Sequence, residues 1–366
     1  MINLPEIRIR IREQERSYPI YIEQGGRYEL GKLLRDWYQG DRVFLVSDHK
    51  VNSLYGQEIG QVLDKAGLTV VTYLLPQGEK AKSFSYLEKG YELLLENDFK
   101  RDHLILALGG GVVGDLAGFL AATFMRGLPY IQIPTTLLAQ VDSSIGGKTA
   151  INHRKGKNLI GSFYQPQMVL IDPGFLTTLA PAEFRNGMAE VLKHGLIADR
   201  EFTSFLLEKR DEILKLKLAE LSRMIYYSCR IKAGVVTEDE KEQGIRAHLN
   251  FGHTIGHALE AVTGFNKYKH GESVAVGMIG AARLAQRLNY LEQAAVRYIE
   301  ELLSSYDLPL SFQYAEDTGQ IFEYLFYDKK VKANKLRWVL LKGIGSACLA
   351  EAVDEELVKD ILEGLK

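Results

Sequence analysis

Cysteine is nearly absent: Cys229 and Cys348 are the only two in 366 residues. A disulfide scaffold is excluded, and so is a paired-cysteine metal or redox site. No long apolar run exists either. The most apolar stretch, Leu104 to Met125, carries five glycines and Asp115, which makes it a poor membrane span. Charge of one sign is also missing. Lys and Arg total 45 against 47 Asp and Glu, a net charge of −2, which argues against a general nucleic-acid or membrane binder. The N-terminal MINLPEIRIRIREQ alternates Ile7, Ile9 and Ile11 with charged residues. It reads as a strand and lacks the apolar core of a signal peptide, so a reducing, cytoplasmic compartment is expected. With 46% apolar and 25% charged residues, the chain has a globular composition. At roughly 150 residues per domain, its length suggests about two domains.

What is present divides at 178/179. Before it, RVFLVSD (42–48), LTVVTYLL (68–75), HLILAL (103–108), YIQIP (130–134) and MVLIDP (168–173) read as apolar strands. Helical periodicity falls between them at 29–37, 55–67 and 84–98. Continuous apolar strands alternating with helices imply a parallel sheet covered on both faces. After it come long amphipathic segments at 181–197, 201–236, 251–263, 271–289, 292–304 and 355–365, interrupted by a β-like run at 336–353. The expectation is an α/β, Rossmann-like domain over 1–178 and a mostly α-helical domain over 179–366. No long Pro/Gly/Ser linker separates them, so a cleft between the halves is the expected site.

Three patterns carry chemistry. HLILALGGGVVGDLAGF places Gly109, Gly111 and Gly114 in G-x-G-x-x-G register between a strand and a helix, where backbone N–H groups can approach a pyrophosphate. The same glycines could serve packing alone. Asp48, at the end of RVFLVSD, is the better candidate for a ribose hydroxyl, because no acid lies about 20 residues beyond the glycine turn. In NFGHTIGHALE, His253 and His257 stand i, i+4 on one helical face and could chelate a divalent metal. Thr254 follows the first histidine where a zinc protease needs Glu. His270 and Glu190 are further candidate ligands, since two histidines, one carboxylate and an open position make a catalytic zinc arrangement. The bland alternative is a pair of surface histidines. Finally, Arg126, Lys148, Lys157, Asn158, Lys193, Lys232, Arg246 and Asn250 lie in or near these segments. Convergence on a small polyanion would explain them, although any one alone could be ordinary surface.

Taken together, GGGVVGDLAGFLAATFMRG, IPTTLLAQVDSSIGGKTAIN, GKNLIGSFYQP, NGMAEVLKHGLI, LNFGHTIGHALE and HGESVAVGM resemble the 3-dehydroquinate synthase family, in order and spacing, from Gln77 to Lys330. The resemblance implies a cytoplasmic shikimate-pathway enzyme serving aromatic amino-acid biosynthesis. It implies a homodimer with one NAD and one divalent metal ion, zinc or cobalt, per subunit, and no nucleic-acid or membrane partner. The substrate would be a phosphorylated sugar acid, 3-deoxy-D-arabino-heptulosonate 7-phosphate, converted to 3-dehydroquinate and phosphate. Other cyclases of this scaffold, forming 2-deoxy-scyllo-inosose or valiolones, and metal-dependent glycerol or alcohol dehydrogenases are the alternatives, together with a non-catalytic metal- and nucleotide-binding protein.

The resemblance also distributes roles. The metal falls to Glu190, His253 and His270, which leaves His257 facing the substrate. NAD contacts fall to Gln77, Gly78, Glu79, Lys80, Ala81 and Lys82. They continue with Gly111, Val112, Val113, Gly114 and Asp115, with Thr135 and Thr136, with Lys148 and Lys157, and with Phe175, Leu176, Thr177 and Thr178. Asp142 and Lys193 would sit near substrate hydroxyls, and Lys232 and Arg246 at the carboxylate. Lys148, Asn158, Asn250, His257 and Lys330 (less surely Lys329) would surround the phosphate. Arg126 would reach the neighbouring subunit's site.

Overall fold

The computed structural model describes residues 17–332, 337–351 and 353–366, with side chains for all of these except 327–332. The strand expected at Ile7, Ile9 and Ile11 lies outside the described residues, as do the side chains of Lys329 and Lys330. In chain order the first eight strands are β1 (Ile20–Ile22), β2 (Arg42–Asp48), β3 (Thr69–Leu75), β4 (Leu104–Gly109), β5 (Tyr130–Pro134), β6 (Lys148–His153), β7 (Gly156–Phe163) and β8 (Met168–Ile171). Six of them form a sheet in the order β1-β8-β5-β4-β2-β3, and every neighbouring pair is parallel.

Alternation explains why these strands read as unbroken apolar runs. Val43, Leu45, Leu104, Leu106 and Leu108 face a core shared with α1 (Leu30–Arg35), and with α2 (His49–Val51) and α3 (Gln57–Lys65), which a turn over 52–56 joins. Phe44, Val46, Ile105 and Ala107 point the other way, against α4 (Phe84–Glu96) and α5 (Gly111–Thr123). Each fully buried Leu or Phe contributes about 1.5–3 kcal/mol, so both faces must be filled.

The second half is built from α6 (Pro181–Ala198), α7 (Arg200–Glu208), α8 (Arg210–Leu214), α9 (Leu218–Glu238), α10 (His253–Val262), α11 (His270–Arg287), α12 (Gln293–Ser304), α13 (Thr318–Lys332), the antiparallel pair β9 (Arg337–Gly343) and β10 (Ser346–Glu351), and α14 (Glu355–Glu363). Helix α11 runs through the centre, with nearly all of Ser273–Ala285 buried. At Gly277 a Cβ would stand 1.9 Å from the Gly252 carbonyl oxygen, so α10 and α11 touch backbone to backbone. Leu137, Val141, Ile145, Val169 and Ile171 from the first half belong to this same core, so the halves are packed together.

Three expectations need correction. The segment 201–236 is three helices, α7 to α9. The Asp199 carboxylate accepts the Phe202 N–H at 2.9 Å and caps α7. The left-handed Leu216 (φ +54°) turns the chain so that both Ile213 and Leu221 reach the core. The hairpin β6–β7 carries no apolar alternation along β7, whose residues are mostly exposed, so it gave no strand signal. Helix α13 also went unrecognised. Among the described residues no helix is long and apolar enough to cross a membrane.

Candidate active site

Glu190 comes from the middle of α6, where it is fully buried, while His253 and His270 open α10 and α11. The tight α10–α11 contact puts both helix starts over the same point of α6. The Nε2 atoms of His253 and His270 lie 3.8 and 3.6 Å from Glu190 Oε1. That oxygen is buried with no hydrogen-bond partner, an orphan whose desolvation is costly unless something positive meets it. The other carboxylate oxygen, Oε2, accepts from Lys193 Nζ, one turn on. The remaining ring nitrogens face acceptors: His253 Nδ1 the Phe251 carbonyl at 3.3 Å, and His270 Nδ1 Glu260 Oε2 at 3.4 Å. Donors that each bind one zinc ion at about 2.1 Å stand roughly 3.4 Å apart in a tetrahedron, so these three residues fit a divalent metal. His257 is a turn away and exposed; its ring centroid is 5.0 Å from that of His253.

Electrostatics agree with that chemistry. Burial pushes the Glu190 carboxyl up, but Lys193 and the two imidazoles outweigh it and hold it well below the ordinary value. Burial, with Lys193 adding to it, keeps His253 well below a normal imidazole; desolvation of the packed side of the His257 ring, with His270 beside it, lowers that otherwise exposed imidazole too, so both are neutral near pH 7. Burial opposes protonation of His270 too, but Glu190 and Glu260 overcome it and push that ring up to about 10. A bound cation displaces such a proton.

The cations around this point each meet a carboxylate or carbonyl. Lys232 donates to Asp142, on the turn after β5. Burial lowers the Lys232 ammonium, while the Asp142 carboxyl, despite burial, is held low by Lys232. Arg246 is buried, donating to the Glu240 carbonyl and, at 3.2 Å, to that of Gly146. Lys148, half-exposed at the start of β6, pairs with Glu242, which also accepts from Asn250 Nδ2 at 2.7 Å. Glu242 escaped the sequence reasoning, since its loop has no periodicity. Glu260 did carry a signal, at i+7 from His253 on the same helical face.

The glycine turn lies at the carboxyl edge of the sheet, where α5 begins at Gly111. A Cβ on Gly111 would stand 2.8 Å from Ser143 Oγ. Ser143 Oγ and Thr135 Oγ1 are buried without partners beside this turn, which fits a bound pyrophosphate or ribose. Asp115 pairs with Lys82 Nζ at 2.5 Å, and Lys82 also reaches Asn158 Oδ1. Asn152, bonded to Glu79 at 2.6 Å, ties the hairpin to the Gln77–Lys82 segment. Asn158 therefore stands among the expected cofactor residues. Asp48 Oδ1 caps α2, accepting from Lys50 and Val51. Thr136 accepts the Ala139 N–H at 3.2 Å, and Thr178 meets the Tyr55 hydroxyl at 2.6 Å. Val113, Phe175 and Leu176 are core side chains, so only their backbone is available to a ligand. Lys157 lies over the Phe265 ring at 4.3 Å. Gln77, Gly78 and Lys80 are exposed on the loop after β3. Arg126 is exposed on a left-handed turn (φ +68°) after α5, away from the connected group.

A glycine turn at the carboxyl edge of a parallel sheet, with a carboxylate–imidazole trio and several cations in the second half, is the plan of the two-domain sugar phosphate cyclases. The fold matches 2-epi-5-epi-valiolone synthase from Streptomyces hygroscopicus subsp. jinggangensis, solved with NAD+ and Zn2+ bound, at a TM-score of 0.88, with 26% identity, 98% of this chain and 99% of that one covered. It also matches a 2-deoxy-scyllo-inosose synthase complexed with carbaglucose-6-phosphate, NAD+ and Co2+, at a TM-score of 0.86, with 28% identity and coverage of 95% and 96%. The family models for the 3-dehydroquinate synthase N-terminal and C-terminal regions match residues 72–186 and 187–331. The curated 3-dehydroquinate synthase of Caldanaerobacter subterraneus subsp. tengcongensis is 44% identical over 346 residues, 94% of this chain and 97% of that protein. The chain belongs to the 3-dehydroquinate synthase family.

Proposed function

We propose that the cleft carries out the family's reaction, converting 3-deoxy-D-arabino-heptulosonate 7-phosphate to 3-dehydroquinate and phosphate. The enzyme is an NAD- and metal-dependent carbon–oxygen lyase, and the cofactor turns over without net redox change. The observation that carries this reading is the buried, partnerless Glu190 Oε1 faced by two imidazole nitrogens, beside cations suited to a phosphate and a carboxylate. Residues 1–178 would hold NAD, and 179–366 the metal and most of the substrate contacts. Bound there, NAD supplies reversible hydride transfer and the metal ion acidifies the hydroxyls it holds.

The chain's own residues do the rest. Glu190, His253 and His270 are the metal ligands. Asp142 and Lys193 orient the ring hydroxyls, and Arg246 with Lys232 clamps the carboxylate. Lys148 and Asn250 give the phosphate donors that stabilise the leaving dianion, while Asn158, held by Lys82, stands on the cofactor side. His257, neutral because its packed side and the neighbouring His270 lower it, and exposed on the other side, can accept a proton during elimination. Glu242 would release Lys148 and Asn250 to the phosphate as substrate enters. The protein works as a cytoplasmic homodimer in this reading, with Arg126 completing the partner's site.

The test is phosphate release from the heptulosonate phosphate with sub-stoichiometric NAD. Many turnovers per NAD are expected. A stoichiometric NAD requirement would point to an ordinary dehydrogenase, and no phosphate at all would overturn the reading.

A further inference from the structure

We propose that Glu260 is a positioning residue for His270, setting which ring nitrogen carries the proton and how the ring is turned toward the metal site. The inference rests on the metal reading above. The backbone at His270 is already fixed from both sides. Asn186, one turn before Glu190 on α6, accepts the Gly271 N–H through Oδ1 at 2.6 Å. Gly271 is pressed so close to α6 that a Cβ would stand 2.3 Å from the Asn186 carbonyl oxygen. Glu272 accepts the Lys269 N–H at 2.8 Å, and Lys269 Nζ reaches Glu183 at 2.6 Å.

With the backbone held, the freedom left to His270 is rotation of its side chain and the choice of tautomer. A neutral imidazole can ligate a metal through Nε2 only if the proton sits on Nδ1, and the partner of Nδ1 decides that. For His253 the partner is the Phe251 carbonyl, a backbone group no substitution removes. For His270 it is the buried carboxylate of Glu260, with Oε2 3.4 Å from Nδ1, while Nε2 faces Glu190 Oε1 at 3.6 Å. The ring therefore lies between two carboxylates: one shares the metal, and the other points the ring at it. A carboxylate behind a ligating histidine also makes the imidazole a stronger donor, and losing such a partner typically costs about 10–100-fold in metal affinity.

The test uses the full chain stripped of metal and titrated with Co2+, following the visible d–d bands and competition with a chelator. Glu260→Gln keeps a neutral acceptor of nearly the same shape, and Glu260→Ala removes it. Affinity should fall in the order wild type, Gln, Ala, by about 10–100-fold for Ala, with shifted Co2+ bands and an unchanged melting temperature of the metal-free Gln variant. Wild-type affinity and spectrum in both variants would overturn the proposal. So would a loss in Glu260→Ala as complete as in His270→Ala, because Glu260 would then be a ligand. His270→Ala separates the two levels of inference: if it binds Co2+ normally, the metal reading itself is wrong. If it loses the metal while the Glu260 variants do not, the positioning role alone is wrong.

Discussion

Arg246 crosses Gly146 so closely that its Nη2 donates to the Gly146 carbonyl at 3.2 Å, and a Cβ on Gly146 would stand 2.6 Å from that same nitrogen. Gly146 has φ +96° and its N–H bonds to the Tyr18 hydroxyl at 3.1 Å. Conformation and space both demand glycine here. Gly146→Ala should cost about 1–3 kcal/mol of stability and displace the guanidinium. Denaturant unfolding should show the loss, and the KM for the phosphorylated substrate should rise at least tenfold. An unchanged KM in a folded variant would remove Arg246 from the substrate site.

The backbone contact between α10 and α11 carries a second prediction. A methyl at Gly277 would overlap the Gly252 carbonyl oxygen, next to His253. Gly277→Ala should destabilise the chain by about 1–3 kcal/mol or more, as overpacked cores do. It should also weaken metal binding, since the start of α10 is pushed off α6. Equilibrium dialysis with Zn2+ checks the second point, and undiminished affinity would show that the helix spacing does not set the ligand geometry.

Lys82 is almost wholly buried and bridges Asp115 and Asn158. Burial raises the Asp115 carboxyl, and Lys82 is the chief opposing influence. Lys82→Met should leave that carboxylate uncompensated at a cost of about 2–4 kcal/mol, discounted for the partial exposure of Asp115. Adding Asp115→Asn should recover much of the loss. The double-mutant cycle is read by urea unfolding, and strict additivity would mean that the pair contributes nothing as a pair.

His194 predicts a pH dependence. Its Nδ1 is 2.7 Å from the Ser228 hydroxyl, and burial foremost, with Lys193, pushes the ring down to about 3. In the unfolded chain a histidine titrates near 6.5. Between those values the unfolded state binds a proton that the folded state refuses. The stability this ring contributes is therefore complete above about pH 6.5 and declines as pH falls toward 3, by up to about 1.4 kcal/mol per pH unit. His194→Gln should flatten the profile of urea midpoint against pH in that window. An identical slope would show that other groups govern acid unfolding.

Much of this was legible in the sequence. The strands β2, β4 and β5 stood out because both their faces are buried, which removes polar residues from the run, and the edge strand β3 by its β-branched residues. Helices α6, α10 and α11 stood out by period and by the motifs they carry. The hairpin β6–β7 did not, because an exposed ribbon of Lys157, Asn158, Gly161 and Ser162 has no apolar alternation to display. Glu242 did not either, since its part is defined by Lys148, which is 94 residues away.

The order and spacing of the six motifs determined the family and the kind of chemistry, because those signals are written in local neighbours along the chain. The sequence spacing offered His253 and His257 as the metal pair. Only the tertiary structure brought Glu190, His253 and His270 within 4.8 Å of one another and set Glu260 behind His270. Which imidazoles meet depends on how closely α10 and α11 pack over α6. That closeness is set by Gly277 against Gly252 and Gly271 against Asn186, contacts between backbones that no single segment of the sequence contains.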